Sequence, residues 1–316
     1  MKLCDFKLAA KDFGKFGRGL HSPECVWVDR DGVWASDARG GVCRVRDDAD
    51  PELLGTGIVN PNGFSRRPDG TFVVAGIGDG RLYAILPGGQ THMLLDNLNG
   101  KPLGAVNYAC ADGPDRIWLS VMTRAPEWHA ALKTDKRDGY ILRIDRGGAR
   151  AEIVADGLDL TNEVKLSPDR RHLYAAETLG CRIVRFPIQS DGSLGSKEFV
   201  GPANLGRGAW PDGITFDRRG NLWITMICQN GISVIDTRGD VHVVYSDADA
   251  QAVEALAAAA EQQTGTVEQL AACASANGPL KLPTSLAFGG RDGRTVFIGN
   301  VASEHIPTFR LPDSLD

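Results

Sequence analysis

Six times along the chain a short segment recurs, and the third position of each carries an oxygen-bearing side chain: Ser22-Pro23-Glu24, Asn60-Pro61-Asn62-Gly63, Ala105-Val106-Asn107, Leu160-Thr161-Asn162, Trp210-Pro211-Asp212-Gly213 and Leu282-Pro283-Thr284. Four of these segments lead to a turn followed by a strand of one pattern, as in Asp31-Gly32-Val33-Trp34, Asp69-Gly70-Thr71-Phe72, Asp169-Arg170-Arg171-His172-Leu173-Tyr174 and Arg219-Gly220-Asn221-Leu222-Trp223. Repeats of roughly 40 residues built from short strands close into a ring of blades. The expected fold is therefore an all-β, six-bladed β-propeller of four-stranded antiparallel blades. Residues 1–316 form a single domain on this reading, although length alone suggests about two domains. Such a ring places six equivalent side chains around one axis, so a site can form without any local catalytic motif.

Within a repeat the strands follow from alternation between turn signals. In the fifth they are expected at 214–217, 221–225, 232–236 and 241–245, and in the sixth at 285–288, 295–298 and 308–311. The sixth repeat stops one strand short. Residues 3–9, which precede the first repeat, are expected to supply that strand, close the ring and cover a sheet edge.

Two insertions break the regular spacing, at 122–138 and 246–280. Both occupy connections that leave a blade on the face where the innermost strands begin, so both should overhang the six equivalent side chains. The longer insertion reads as a helical hairpin. Asp247 or Asp249 starts the first helix, Gly265 interrupts it, Thr266 with Gln269 forms a capping box for the second, and Asn277-Gly278 ends it. Alanine-rich helices with few large apolar residues need a surface to cover, which makes the insertion a lid or a contact in a homo-oligomer.

Composition excludes several classes of function. With 35 basic and 40 acidic residues the net charge is −5, and no basic block is present to meet nucleic-acid phosphates. Neither a signal peptide nor a membrane-spanning run is visible. Seven cysteines without CxxC spacing argue for buried thiols in a reducing cytoplasm. No serine nucleophile elbow occurs, and the six histidines lack zinc-site spacing.

The residue types at the recurrent position suit a hard divalent cation, calcium first, with zinc, manganese or magnesium as alternatives. Two carboxylates, Glu24 and Asp212, offset the ion's charge, and Asn162 with Asn107 adds amide oxygens without excess repulsion. Asn62, next to a glycine, reads as an ordinary turn former, and Thr284 as a lining residue. In the first insertion Arg124, Trp128 and His129 combine a cation, a flat apolar face and a titratable ring, and are candidates for substrate binding.

The blocks Ser22-Pro23-Glu24-Cys25-Val26-Trp27, Thr161-Asn162-Glu163-Val164-Lys165-Leu166-Ser167-Pro168-Asp169 and Trp210-Pro211-Asp212-Gly213-Ile214-Thr215-Phe216-Asp217 give the chain a resemblance, from about residue 13 to 311, to the senescence marker protein, gluconolactonase and luciferin-regenerating enzyme family. The resemblance implies a six-bladed propeller with one divalent metal near its axis, held by Glu24, Asn162 and Asp212. It also implies that Asn107 contacts metal or substrate, and that Asp212 doubles as the general base in lactone hydrolysis. Ala105 and Tyr108 stand where sugar-lactonase members commonly carry Arg and Asp, and Thr161-Asn162-Glu163 replaces a Pro-Asn-Gly. These departures point away from a simple aldonolactone and toward a less polar lactone or another ester. A non-catalytic ligand- or protein-binding propeller, and a metal-independent synthase on a related propeller, are the competing readings.

Overall fold

The computed structural model describes residues 2–135 and 137–315. The architecture is all-β and propeller-like, with few helices. Four antiparallel sheets of four strands each start with Val26–Asp29, Thr161–Leu166, Pro211–Phe216 and Pro283–Gly289. An eight-stranded sheet joins two further four-strand arrays, and a small hairpin pairs Asn97–Leu98 with Lys101–Pro102. The two arrays meet edge to edge between Pro61–Arg66 and Val106–Asp112 through a single parallel pair, Tyr108 with Gly63.

That edge explains the glycine of Asn62-Gly63. A Cβ on Gly63 would lie 2.7 Å from the Asn107 carbonyl oxygen and from Tyr108 Cα. Gly213 after Asp212 meets the same constraint, with Thr284 O and Ser285 Cα at 2.5 Å. Adjacent innermost strands approach so closely there that no side chain fits between them. Asn62-Gly63, read as a turn former, thus belongs to a strand.

The cores lie between facing sheets, and the repeat is visible in their polar anchors. Trp34, Trp118 and Trp223 each donate an indole N–H to the aspartate near the end of the preceding strand, Asp29 at 3.4 Å, Asp112 at 3.0 Å and Asp217 at 3.0 Å. Each large ring is buried with its one polar atom satisfied.

Strands fall close to the expected positions, and the fourth of the fifth repeat, Val241–Tyr245, has the expected bounds. The closing strand does not. Gly14–Phe16 pairs with Ile306–Arg310, Gly14 opposite Thr308, and completes the last sheet, whereas residues 3–9 begin with a 3-10 turn at Leu3–Asp5. Leu3 and Phe6, three apart, both face inward on such a turn and are buried in a cluster with Trp223. In a strand they would point to opposite faces.

The longer insertion folds into two helices, α1 (Ala250–Glu261) and α2 (Val267–Ala272). Asp249 caps α1 by accepting from the backbone N–H groups of Gln251 and Ala252, and Thr266 and Gln269 form a reciprocal capping box on α2. The second helix ends at Ala272, five residues before Asn277-Gly278, because the buried Asn230 amide takes the Cys273 carbonyl at 2.7 Å and turns the chain back. The shorter insertion carries a 3-10 helix, Trp128–Lys133. The two insertions touch, with Gly265 N–H donating to the Leu132 carbonyl at 3.1 Å. No helix among the described residues is long and apolar enough to cross a membrane.

Candidate metal and substrate site

Two local devices bring the recurrent residues to one place. Ser22, Asn60, Leu160 and Leu282, each two positions before a site residue, are non-glycine residues with φ between 48° and 57°. Left-handed backbone at such residues is unfavourable and persists where the surroundings enforce it, often at functional sites. Just beyond, the strand pairing slips at the site residue itself. Breaks in register fall between Pro61 and Phe64, Val106 and Tyr108, Thr161 and Val164, Pro211 and Ile214, and Pro283 and Ser285. A bulge takes a residue out of the ladder and re-aims its side chain.

Glu24, Asn62, Asn107, Asn162, Asp212 and Thr284 all line one cavity of about 260 Å³. Asn107, Asn162 and Asp212 are almost entirely buried, at 2%, 3% and 4% exposure. Their free oxygens are the telling feature. Oδ1 of Asn107, of Asn162 and of Asp212 is each buried without a hydrogen-bond partner. Buried polar atoms are nearly always satisfied, so three orphans lining one cavity need an explanation.

The orientation of both amides is set from behind. Asn162 Nδ2 donates to Thr178 Oγ1 at 3.2 Å, and that hydroxyl donates to the Pro211 carbonyl at 2.7 Å, tying Asn162 to the backbone beside Asp212. Asn107 Nδ2 faces the Met122 sulfur at 3.4 Å. Asn62 differs, because its Oδ1 accepts from the Gly63 N–H at 2.8 Å. Thr284 Oγ1 donates to the Glu24 carbonyl at 2.6 Å and holds that residue's backbone.

Electrostatics point the same way. Burial pushes the Glu24 carboxyl well above its usual range, and the Asp212 and Glu163 carboxylates add to the effect. Burial likewise raises Asp212, with Glu163 adding, while the Asn162 amide pulls the other way. Glu163 does not line the cavity. It is buried below, accepting from the Ile214 N–H at 3.0 Å, and its own carboxyl is raised by burial against the opposing pull of Lys165. Crowded buried carboxylates beside orphaned amide oxygens suit a divalent cation, which inverts this repulsion. The donors are hard oxygens. Among the described residues no cluster of three or more His, Cys, Asp or Glu has metal-holding geometry, so the set is a mixed carboxylate and amide one.

Of the candidate substrate-binding residues, Asn107 and Trp128 line the cavity, whereas Arg124 and His129 do not. The Arg124 guanidinium is held in a bidentate pair by Asp156, at 2.8 and 2.7 Å, and lies over the Tyr140 ring at 4.5 Å. His129 packs edge-on against Trp128, 5.7 Å between ring centres. Asp156, on the outermost strand of the same array, captures the cation before it can reach the mouth.

Sequence reasoning missed a second ring of residues. Ile77, Met122, Thr178, Ile227 and Val301 line the same cavity, and each directly follows the second strand of its array. Extending the repeat comparison to that position would have found them, but their mixed chemistry offers no common signal.

Against this geometry the comparisons with known proteins are consistent. The sequence model of the SMP-30/gluconolactonase/LRE-like region matches residues 22–264, and the chain belongs to that family. It is 28% identical to a 6-deoxy-6-sulfogluconolactonase of Pseudomonas putida, over 87% of this chain and 81% of that protein. Among solved structures, a gluconolactonase of Xanthomonas campestris superposes with a TM-score of 0.68 at 20% identity, covering 97% of this chain and 94% of that one. Regucalcin of Agrobacterium tumefaciens, described as a calcium-binding protein, superposes with a TM-score of 0.65 at 15% identity, covering 94% and 93%.

Proposed function

We propose that the chain is a divalent-metal-dependent hydrolase that opens a lactone ring. The eight-stranded sheet counts as two blades on this reading, so residues 1–316 make one six-bladed ring with the 246–280 insertion as a lid. Glu24, Asn162 and Asp212 hold one cation, calcium first among the candidates, and Asn107 adds a fourth oxygen to metal or substrate. The observation that carries the proposal is the trio of orphaned buried oxygens on Asn107, Asn162 and Asp212, contributed by three different repeats to one cavity. Membership of a family that includes gluconolactonases supports the reaction class.

Bound there, a divalent cation supplies a Lewis acid that polarises the lactone carbonyl and stabilises the charge developing on its oxygen. The protein's own groups do the rest. Asp212 accepts a proton from the attacking water as the water oxygen bonds to the carbonyl carbon. The ring C–O bond then breaks, and the proton passes from Asp212 to the departing alkoxide, giving a hydroxy acid. Thr178 fixes Asn162, Thr284 fixes the Glu24 backbone, and the apolar walls keep other water out.

The substrate is not a simple aldonolactone. Ala105 is fully buried, and the Tyr108 hydroxyl is spent on Lys165 Nζ at 2.9 Å, below the cavity rather than in it. The seven free cysteines, six of them buried, suit a cytoplasmic enzyme.

Chelator-stripped protein titrated with calcium by calorimetry should bind one ion per chain. Hydrolysis of a lactone panel should vanish on stripping and return with calcium. Full activity after stripping, or no ion bound, would overturn the proposal.

A further inference from the structure

Resting on the lactonase reading, we infer that the substrate carries an uncharged, apolar substituent, recognised by walls that the two insertions build over the metal site. The cavity is divided by chemistry. Its polar lining, Glu24, Asn62, Asn107, Asn162, Thr178, Asp212 and Thr284, belongs to the strand ends at the floor. Those polar atoms are already committed. Thr178 and Thr284 donate to carbonyl oxygens, and the Asn62 oxygen accepts from a backbone N–H. The orphaned oxygens of Asn162 and Asp212 are assigned to the cation, and that of Asn107 to the cation or the lactone itself. Few side-chain partners are left for the hydroxyls of a sugar ring, since the Asn62 amide faces the Glu24 carboxylate and the Asn107 amide nitrogen faces the Met122 sulfur.

The walls are mostly apolar, with the indole N–H groups of Trp128 and Trp210 as their side-chain donors. Trp128 and Leu132 come from the first insertion and Val267 and Leu270 from the second, with Trp210 and Leu282 between them. Among the described residues no lysine, arginine or histidine lines the cavity. Arg124, the cation of the first insertion expected to bind substrate, is paired with Asp156. An anionic substituent would therefore meet the Glu24 and Asp212 carboxylates with no cationic side chain to hold it, and a polyhydroxylated one would be desolvated with few partners. A flat or branched hydrocarbon group would instead remove apolar surface of Trp128, Trp210 and Leu270 from water.

Trp128 and Leu270 are thus specificity-determining residues, and the joint between Gly265 and Leu132 sets the height of the walls. The 6-deoxy-6-sulfogluconolactonase relative differs in the substrate its name states, which carries a sulfonate. This cavity suits the opposite kind of group at the same reacting centre.

The test separates recognition from chemistry. Binding of two unreactive six-membered lactams, one bearing a phenyl group and the other the polyhydroxylated gluconolactam, is measured by calorimetry on the full chain with calcium present. The phenyl lactam should bind roughly 100-fold tighter, the scale on which hydrophobic pockets and unpaired polar groups discriminate. Trp128→Ala should reduce that ratio about tenfold, the scale of losing apolar contact in such a pocket. Equal affinities, a preference for gluconolactam, or no binding of either would overturn the inference. Turnover of the two corresponding lactones is read alongside. Hydrolysis with gluconolactam preferred sinks the substrate class and leaves the lactonase reading standing, whereas phenyl-lactam preference with no lactone hydrolysed does the reverse.

Discussion

At the floor of the cavity the recurrent position of six repeats supplies every polar side chain but Thr178, whereas much of the wall above comes from two insertions that no other repeat possesses. The floor residues Asn107, Asn162 and Asp212 are at most 4% exposed, and their backbones are locked by register breaks and neighbouring strands. Val267 on the wall is 39% exposed and sits on a six-residue helix. One part is over-determined by the fold, and the other leans on a few caps and contacts. On the proposed reading, chemistry is thereby placed where the scaffold is rigid, and selectivity where residues can change without disturbing it.

The contrast is broken most severely at Asp212. Asp212→Asn keeps shape and hydrogen-bonding size but removes a carboxylate from metal and proton transfer alike, so kcat for lactone hydrolysis should fall by about 10³-fold. A steady-state assay at saturating calcium checks it, and retention of even a tenth of the wild-type rate would remove Asp212 from the mechanism.

Thr178 sharpens the comparison from beneath. Thr178→Val removes the hydroxyl that links Asn162 to the Pro211 carbonyl, and loss of such support for a ligand typically costs about 10- to 100-fold in metal affinity. Calcium titration should show that loss with the folded state intact by circular dichroism.

Acidity gives a third expectation. In metal-free protein the folded-state carboxyls of Glu24, Asp212 and Glu163 all titrate above their ordinary range, so between the unfolded and folded values the native state binds more protons. Stability from these groups is fully present below the unfolded carboxylate range and is lost as pH rises through the raised folded values. Thermal denaturation of the chelated protein should therefore show Tm falling, relative to chelated Asp212→Asn, as pH increases from the carboxylate range towards neutrality. Saturating calcium should flatten or reverse that slope, since the ion favours the ionised forms.

The smallest effect belongs to the wall. Arg207 pairs with Glu254 at 3.0 Å and also with Glu261, strapping α1 to the neighbouring loop, yet all three side chains are 46% to 62% exposed. Arg207→Ala should leave the denaturation midpoint nearly unchanged, as loss of exposed pairs does. A larger loss would mean that the insertion is as over-determined as the floor.

The candidate site was legible because it rests on periodicity. Glu24, Asn107, Asn162 and Asp212 could be picked from the sequence since a propeller-like fold converts equal spacing along the chain into one place in space. Arg124 could not be judged in that way, for its position depends on Asp156, a residue 32 positions later that only strand pairing brings alongside. Nor could the glycine of Asn62-Gly63 be recognised as a strand glycine, because the contact that requires it is with Asn107 and Tyr108 of the next array. The closing strand at Gly14–Phe16 escaped for a related reason. Three residues carry too little alternation to outweigh the more apolar segment before them, and pairing with Ile306–Arg310 decides the matter.

By itself the sequence determined the repeating β architecture, the oxygen chemistry of the recurrent position and the helical character of the second insertion, because turn residues, alternation and capping boxes act over a few neighbours. Tertiary structure alone decided which oxygens stay without partners, which cation is neutralised and how apolar the walls are. Those properties depend on what packs against each group from distant parts of the chain, and burial and pairing are not local quantities.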